Sequence, residues 1–195
     1  MPRIFNAEKR EMIRDQLLLE GKKMMLKEGI AGMNLEKLAL SAGIAKGTFY
    51  NFFKTKQHFI LAIIRTYQKQ RYEVLQMQAE DKKGSLSAEE AVAMVLSIYD
   101  PKDNPMFHMR DSDLDWIGEK IPAEELFDAE MDLKCCNLIL SCIKNKREDV
   151  DCRIVSNFSR MIMFTLLQKE YVHQEVLETN IQMIINLVAD YVCGQ

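Results

Sequence analysis

Residues 46–54, KGTFYNFFK, carry polar and basic side chains at a spacing that suits a nucleic-acid surface. At about 100° per residue, Phe49, Phe52 and Phe53 fall within one narrow arc of a helix, which we expect to face the core. The opposite arc carries Gly47, Asn51 and Lys54, and it is flanked by Thr48 and Tyr50. Hydroxyl, amide and ammonium groups hydrogen-bond base edges and pair with phosphate oxygens. The pattern therefore predicts a helix held by aromatic rings on one face and free to bind a polyanion on the other.

Two neighbouring features also favour a phosphate backbone as the partner. Glycine in a helix lowers helix stability by about 1 kcal/mol relative to alanine. A glycine at position 47 is explained if a bulky group of the partner must come close to the helix there. Thr55 is a candidate cap for the next helix, and Lys56 lies in the first turn of that helix. There, free N–H groups, the helix dipole and an ammonium all favour a phosphate.

The elements before this segment have the pattern of a helix pair with a tight turn. Residues 7–28 have helical apolar spacing, and Gly29 follows as a stop. Asn34 is a candidate N-cap for a second, short helix. Gly43 supplies the left-handed residue of the turn, and Ile44 fills the angle between the two helices. The segment therefore predicts a helix-turn-helix whose third helix runs over residues 46–53.

Composition and charge narrow the class of protein. The 195 residues include 48% hydrophobic and 28% charged residues, four prolines and eight glycines, which favours an all-α fold. No apolar run approaches the roughly 20 residues of a membrane span, and the N-terminus lacks a signal-peptide apolar segment, so we expect a soluble, cytoplasmic protein. Residues 1–60 hold 11 Lys or Arg against 6 Asp or Glu, whereas residues 61–195 hold 15 against 23. This asymmetry predicts a polyanion partner for the first part alone.

The N-terminal motifs resemble those of TetR-family transcriptional regulators over residues 8–60. The matching residues are Gly21, Gly29, Leu38-Ala39, Ala42-Gly43-Ile44, Lys46-Gly47-Thr48-Phe49-Tyr50, Phe53 and Lys54-Thr55-Lys56. Two positions depart from the pattern, since Ala45 stands at the usual Ser or Thr cap and His58 at a usual acidic position. The resemblance implies an all-α protein of about nine helices. Its parts would be a three-helix DNA-binding domain over residues 1–55 and a larger helical effector-binding and dimerisation domain over 56–195.

The resemblance also implies roles for individual residues. Lys46, Thr48, Tyr50 and Asn51 would contact the major groove and the adjacent backbone. Gly47 and Lys54 belong to the same surface, and Asn34 and Lys56 would hold phosphates at two helix N-termini. We expect the partner to be a double-stranded DNA operator with two half-sites, bound by a dimer whose recognition helices lie about 34–36 Å apart.

The second part of the chain reads as a series of amphipathic helices. Apolar residues continue a helical stripe from Ile60 to Met77, and Ser87 with Glu90 forms a capping box. Residues 106–121 are the least regular, and we interpret the alternating aspartates there as solvated loop acids and not as a metal site. These are Asp111, Asp113 and Asp115. Three further helices are predicted over residues 122–145, 151–171 and 175–192.

The last two predicted helices carry more apolar residues than one small core needs. We interpret the surplus over residues 151–192 as the surface of a homodimer that forms a four-helix bundle, with burial inside the subunit as the alternative. A small-molecule effector bound beneath the helix predicted from Ile60 to Met77 would change the spacing of the two DNA-binding domains in the dimer. Candidate pocket residues are Tyr67, Tyr99, Phe107, His108 and Trp116.

Other functions have weaker support in the residues. No HExxH motif, nucleotide fingerprint or partnered nucleophile occurs, so we expect no enzyme, cofactor or metal. A thiol-based redox sensor stays open because Cys135, Cys136, Cys142 and Cys152 lie close in sequence, although buried inert thiols are the simpler interpretation. A helical ligand-binding protein that does not use DNA is the remaining alternative.

Overall fold

The computed structural model describes residues 6–98 and 104–194, apart from the side chains of Leu96 and Ile98, and within these ranges no strand occurs. The described residues form ten α-helices: α1 (Ala7–Gly32), α2 (Leu35–Ser41), α3 (Lys46–Phe49), α4 (Lys56–Ala79), α5 (Ala88–Ile98), α6 (Asp111–Lys120), α7 (Ala123–Leu126), α8 (Ala129–Cys142), α9 (Cys152–Leu167) and α10 (Leu177–Cys193). Short 3-10 turns lie at Glu80–Lys82, Pro105–His108, Lys169–Tyr171 and Gln174–Val176. The predicted all-α class is confirmed.

The chain divides into two compact units. The first is formed by Met1–Lys69 with Lys102–Phe127, and the second by Gln70–Pro101 with Asp128–Gln195, in each case through their described residues. The first unit therefore extends beyond the division at residues 55 and 56 that the sequence suggested. The physical reason is a shared core, because Ile117 and Ile121 are buried with the side chains of the first three helices.

The core of the first unit forms where α4 crosses α1. Phe59, Ile60 and Ile63 of α4 are fully or almost fully buried. A Cβ atom at Gly21 of α1 would meet the Phe59 ring and the Ile63 side chain. Gly21 is thus a close-packing position, and the hydrophobic contact over this crossing holds α1 against α4.

The second unit packs α5, α8, α9 and α10 around two smaller apolar clusters. Cys142 and Leu75 belong to one cluster, and Cys136, Leu140 and Val192 belong to the other. Polar bonds fix the ends of these helices. The Asp151 amide donates to the Tyr191 hydroxyl (3.0 Å), and the Asp151 carboxylate accepts from the Arg153 amide (2.9 Å) at the start of α9.

Local capping signals in the sequence are confirmed. The Asn34 side chain accepts from two amides of α2, and Thr55 Oγ1 accepts from the His58 amide at the start of α4. Ser87 and Glu90 form the predicted reciprocal capping box, with bonds of 2.7 and 3.1 Å. Gly43 has the expected positive φ of 69°. These interactions join residues within three positions of one another, which is why the pattern reveals them.

Three predicted elements are corrected. Residues 106–121 are more regular than expected, since they form a 3-10 turn and α6. The single helix predicted over residues 122–145 is two helices, because the Asp128 carboxylate caps α8 by accepting from the Met131 amide (2.9 Å). The helix predicted over residues 151–171 ends at Leu167, and a 3-10 turn follows. None of the helices in the described ranges is long and apolar enough to cross a membrane.

Candidate DNA-binding surface

The α2–α3 unit is a helix-turn-helix built by short-range hydrogen bonds. Asn34 Oδ1 accepts from the amides of Glu36 (2.9 Å) and Lys37 (3.1 Å) at the start of α2. At its end, the amide of Gly43 donates to Leu40 and that of Ile44 donates to Ala39, both at 3.0 Å. The buried Ile44 side chain then fills the angle before α3, as predicted.

The recognition helix is shorter than the sequence predicted. The α-helix covers Lys46–Phe49 and not residues 46–53. Beyond it the chain continues as turns, with the Asn51 amide donating to Thr48 (3.1 Å) and the Phe53 amide to Phe49 (3.0 Å). Ala45 at the N-cap provides no side-chain hydrogen bond, as expected. With an uncapped start and a helix-weakening glycine, local propensity does not sustain a longer helix.

Aromatic packing holds the inner face of this segment. The Phe49 and Phe53 side chains are buried, and their ring centroids lie 5.1 and 4.8 Å from that of Phe59 in edge-on arrangements. Phe52 is only half-buried, and the Arg10 guanidinium lies 5.4 Å from its ring centroid. Two of the three predicted aromatic anchors are therefore core residues, and the third is covered by a basic side chain of α1.

Most residues that were predicted to contact DNA are exposed on the outer face of this segment. Lys46, Gly47, Tyr50, Asn51 and Lys54 are exposed, whereas Thr48 is half-buried. The Lys46 ammonium lies 4.0 Å from the Glu36 carboxylate, an exposed pair that a stronger anion can replace. A Cβ atom at Gly47 would meet no other atom within 4 Å. Packing inside the protein therefore does not explain the glycine.

Asn34 and Lys56, the predicted phosphate ligands, differ in their surroundings. Asn34 is exposed at the start of α2, and its amide nitrogen is a donor even while its oxygen caps the helix. The Lys56 side chain points inward, because its Nζ donates to the Ile30 carbonyl (2.5 Å) and lies 5.6 Å from the centroid of the Trp116 ring. Burial lowers the pKa of Lys56, and the nearby Asp113 carboxylate raises it in part. The structure therefore places Lys56 apart from the exposed surface.

Sequence reasoning missed two basic residues of α1 at this surface. Arg10 Nη2 donates to the Asn51 carbonyl (3.0 Å), and the Arg14 guanidinium lies 5.6 Å from the Phe53 ring centroid. These residues support the turn that follows α3, where Tyr50 and Asn51 lie. Their spacing of four residues places them on one face of α1, which was the available signal.

The predicted pocket residues do not share one kind of environment. Tyr67 is buried, with the Lys22 ammonium 5.0 Å from its ring centroid. Phe107 and Trp116 are half-buried, and His108 is exposed. Tyr99 lies outside the described residues. The effector pocket therefore stays a prediction.

The alternating aspartates correct another expectation. All three residues, Asp111, Asp113 and Asp115, belong to α6 and not to a loop, and Asp113 is buried whereas the other two are exposed. In the described part of the chain, no group of three or more His, Cys, Asp or Glu side chains is placed to hold a metal ion.

The helix pair α2 and α3, the tight turn between them and the exposed polar segment place this chain in the helix-turn-helix class of proteins. The model of bacterial regulatory proteins of the tetR family matches residues 17–63. That match covers the helix-turn-helix and parts of its flanking helices, so the N-terminal part of this chain is similar to these regulators.

Comparison with individual proteins gives the same result. The HTH-type transcriptional repressor NemR of Escherichia coli K12 is 35% identical over 54 residues, which are 28% of this chain and 27% of NemR. The match thus spans about a quarter of NemR. A crystal structure described as a TetR-family regulator from Rhodococcus sp. superposes with a TM-score of 0.59 at 15% identity, over 95% of this chain and 100% of that one. That likeness shows the fold.

Proposed function

We propose that this chain is a transcriptional repressor that binds a palindromic DNA operator as a homodimer in the cytoplasm and is released by a small molecule. The observation that carries the proposal is the division of the recognition segment into two faces. Phe49 and Phe53 are buried, whereas Lys46, Tyr50 and Asn51 are exposed together on the other side. Exposed groups of these types suit base edges in a major groove.

Distinct groups of residues would anchor and read the DNA. Asn34 at the start of α2 and Lys54 after the recognition segment suit phosphates, which fix the position of the protein on the duplex. Lys46, Tyr50 and Asn51, with the half-buried Thr48, suit base edges and the adjacent backbone. Lys56 acts indirectly in this proposal, since its ammonium is bonded to the Ile30 carbonyl.

Selection of bound fragments from genomic DNA, followed by fluorescence anisotropy over a range of salt concentrations, tests the proposal. We expect Lys46→Ala and Tyr50→Ala to weaken operator binding about tenfold, because one good base contact is worth about 1–3 kcal/mol of discrimination. Lys83→Ala is the matched control, since Lys83 is also exposed but belongs to the second unit. Full operator binding by both recognition-segment variants would instead favour a helical ligand-binding protein that does not use DNA.

Exposed apolar side chains on α9 and α10 support a homodimer through residues 151–192. Ile154, Met161 and Phe164 of α9 and Met183 and Leu187 of α10 are each 40% or more exposed. An apolar surface of this kind is typical of a protein-protein interface. A two-fold axis there would give each protomer one half-site of the operator.

Analytical ultracentrifugation tests the dimer. We expect Met161→Asp to dissociate it, because the charged group would be buried without a partner. Met77→Asp is the control, since Met77 is 75% exposed on α4 and the substitution is the same. A wild-type chain that sediments as a monomer at micromolar concentration would contradict the proposed interface.

Effector release can be tested with the single tryptophan of the chain. A compound library is screened for loss of operator binding, and each hit is titrated while Trp116 fluorescence is recorded. We expect the compounds that release the operator to change the fluorescence of Trp116. The Trp116→Phe variant should show no such change in fluorescence. If no compound alters operator affinity, release by a small molecule is wrong although DNA binding can still stand.

The cysteine environments do not favour the redox alternative. Burial is the main cause that raises the pKa of Cys135 to about 11 and that of Cys136 to about 12. A thiol with so high a pKa is almost entirely protonated at neutral pH, and the thiolate is the form that reacts with peroxide. We therefore keep the small-molecule regulator as the proposed function.

A further inference from the structure

Asp113 is a buried carboxylate that collects backbone amides from two distant parts of the chain. Its side chain is almost completely buried, with a residue exposure of 1%. Oδ1 accepts from the amides of Ile30 (2.7 Å) and Ala31 (2.9 Å) at the end of α1. Oδ2 accepts from the amide of Arg110 (3.1 Å), just before α6. One side chain therefore joins the end of α1 to the start of α6.

The backbone at the end of α1 is shaped for this carboxylate. Gly29 has φ 74° and ψ 179°, which interrupts the helical path immediately before the two donating amides. A Cβ atom at Gly29 would lie 2.5 Å from Asp113 Oδ2. Glycine is therefore required here both by the positive φ and by the close approach of the carboxylate.

Lys56 brings the start of α4 to the same point. Its Nζ donates to the carbonyl of Ile30, whose amide donates to Asp113. The three helices α1, α4 and α6 are thus connected through one residue. We call Asp113, Gly29, Ile30, Ala31 and Lys56 the Asp113 latch.

We propose that Asp113 is a positioning residue for DNA binding, because the Asp113 latch makes the orientation of the helix-turn-helix depend on α6. This inference rests on the proposed DNA-binding function. Ala31 precedes the Asn34 cap of α2 by only three residues, and Lys56 follows the recognition segment directly. The latch therefore holds the chain immediately before and immediately after the DNA-binding surface. DNA bound at this surface would in turn stabilise the observed position of α6.

The first test compares Asp113→Asn with Asp115→Asn on the selected operator. Both substitutions remove one negative charge from α6, but Asp115 is exposed. Asparagine has one acceptor oxygen in place of two, so an amide at one end of the latch loses its partner. We expect Asp113→Asn to weaken specific operator binding about tenfold, equal to about 1.4 kcal/mol, and Asp115→Asn to leave it unchanged.

Non-specific DNA separates positioning from damage to the fold. Affinity for unrelated DNA and the salt dependence arise mainly from phosphate contacts, which each DNA-binding domain keeps in the variant. We therefore expect both to stay within about twofold of wild type. A merely destabilised variant would lose specific and non-specific binding by the same factor, and that outcome would overturn the inference.

The second test uses the wild-type chain and does not depend on the stability of a variant. Amide hydrogen exchange is followed by NMR with and without operator DNA. We expect the operator to slow exchange at Ile30, Ala31 and Arg110, although Arg110 lies outside the helix-turn-helix. Unchanged exchange at Arg110, or equal operator affinity of the two Asp→Asn variants, would overturn the latch. Absence of any DNA binding by the wild-type chain would instead contradict the proposed function itself.

Discussion

Gly47→Ala is expected to raise the stability of the protein and to lower its affinity for DNA. Gly47 lies within α3 without a positive φ, and a Cβ atom there would meet nothing within 4 Å. Alanine is favoured over glycine in a helix by up to about 1 kcal/mol. For a chain of this length, that gain corresponds to a rise in melting temperature of roughly 2–4 °C. The free protein alone therefore offers no reason for a glycine at this position.

The opposite effect on DNA binding follows from the exposure of this position. If the DNA backbone approaches α3 at Gly47, the added methyl group prevents the closest contact. We expect operator affinity to fall about tenfold, which corresponds to about 1.4 kcal/mol. Differential scanning calorimetry measures the first effect, and fluorescence anisotropy with the selected operator measures the second.

Gly118→Ala is the matched control. Gly118 is an exposed residue of α6, and a Cβ atom there also meets nothing within 4 Å. We expect the same gain in stability with no change in operator affinity. If Gly47→Ala stabilises the protein and keeps full affinity, the reasoning about close approach is refuted. If it lowers the melting temperature, the reasoning about open space is refuted.

Three further predictions concern stability and thiol chemistry. Asn34→Ala removes the oxygen that caps α2 and should lower the free energy of unfolding by about 1 kcal/mol in urea denaturation. An unchanged free energy of unfolding would show that this cap does not stabilise the helix. Gly21→Ala forces a methyl group against side chains of α4 and should destabilise by about 1–3 kcal/mol, so a stabilised variant would contradict the observed packing. Because the native pKa values of Cys135 and Cys136 lie above the ordinary 9.0, the unfolded chain loses these protons first. Stability should therefore decrease as pH rises from about 9 towards 11, and less so in a variant with serine at both positions. Rapid alkylation of either native thiol at pH 7 would contradict the assigned burial.

The local features of the helix-turn-helix could be predicted from the sequence. The Asn34 cap, the Gly43 turn and the Thr55 cap each depend on residues within a few positions of one another. The burial of Phe49 and Phe53 follows from helical periodicity in the same way. Such signals are strong because the interacting groups are close in the chain, whatever the rest of the protein does.

The extent of the elements was less predictable. The recognition segment keeps its expected inner and outer faces, but its α-helix ends at Phe49. The stretch around residues 106–121 looked irregular because its acidic residues obscured the helical pattern of α6. Periodicity indicates which side chains share a face, whereas helix ends depend on caps and on packing against other elements.

Only the tertiary structure decided the roles of Lys56 and Asp113. From the sequence, Lys56 is a lysine in the first turn of a helix and Asp113 is one of three alternating acids. In the folded chain, Lys56 donates to Ile30, 26 residues away, and Asp113 accepts from Ile30, 83 residues away. The sequence by itself determined the helix-turn-helix, its similarity to TetR-family regulators and its exposed face, because these rest on local pattern. The latch depends on contacts between residues that are far apart in the chain, and local pattern carries no information about which of them meet.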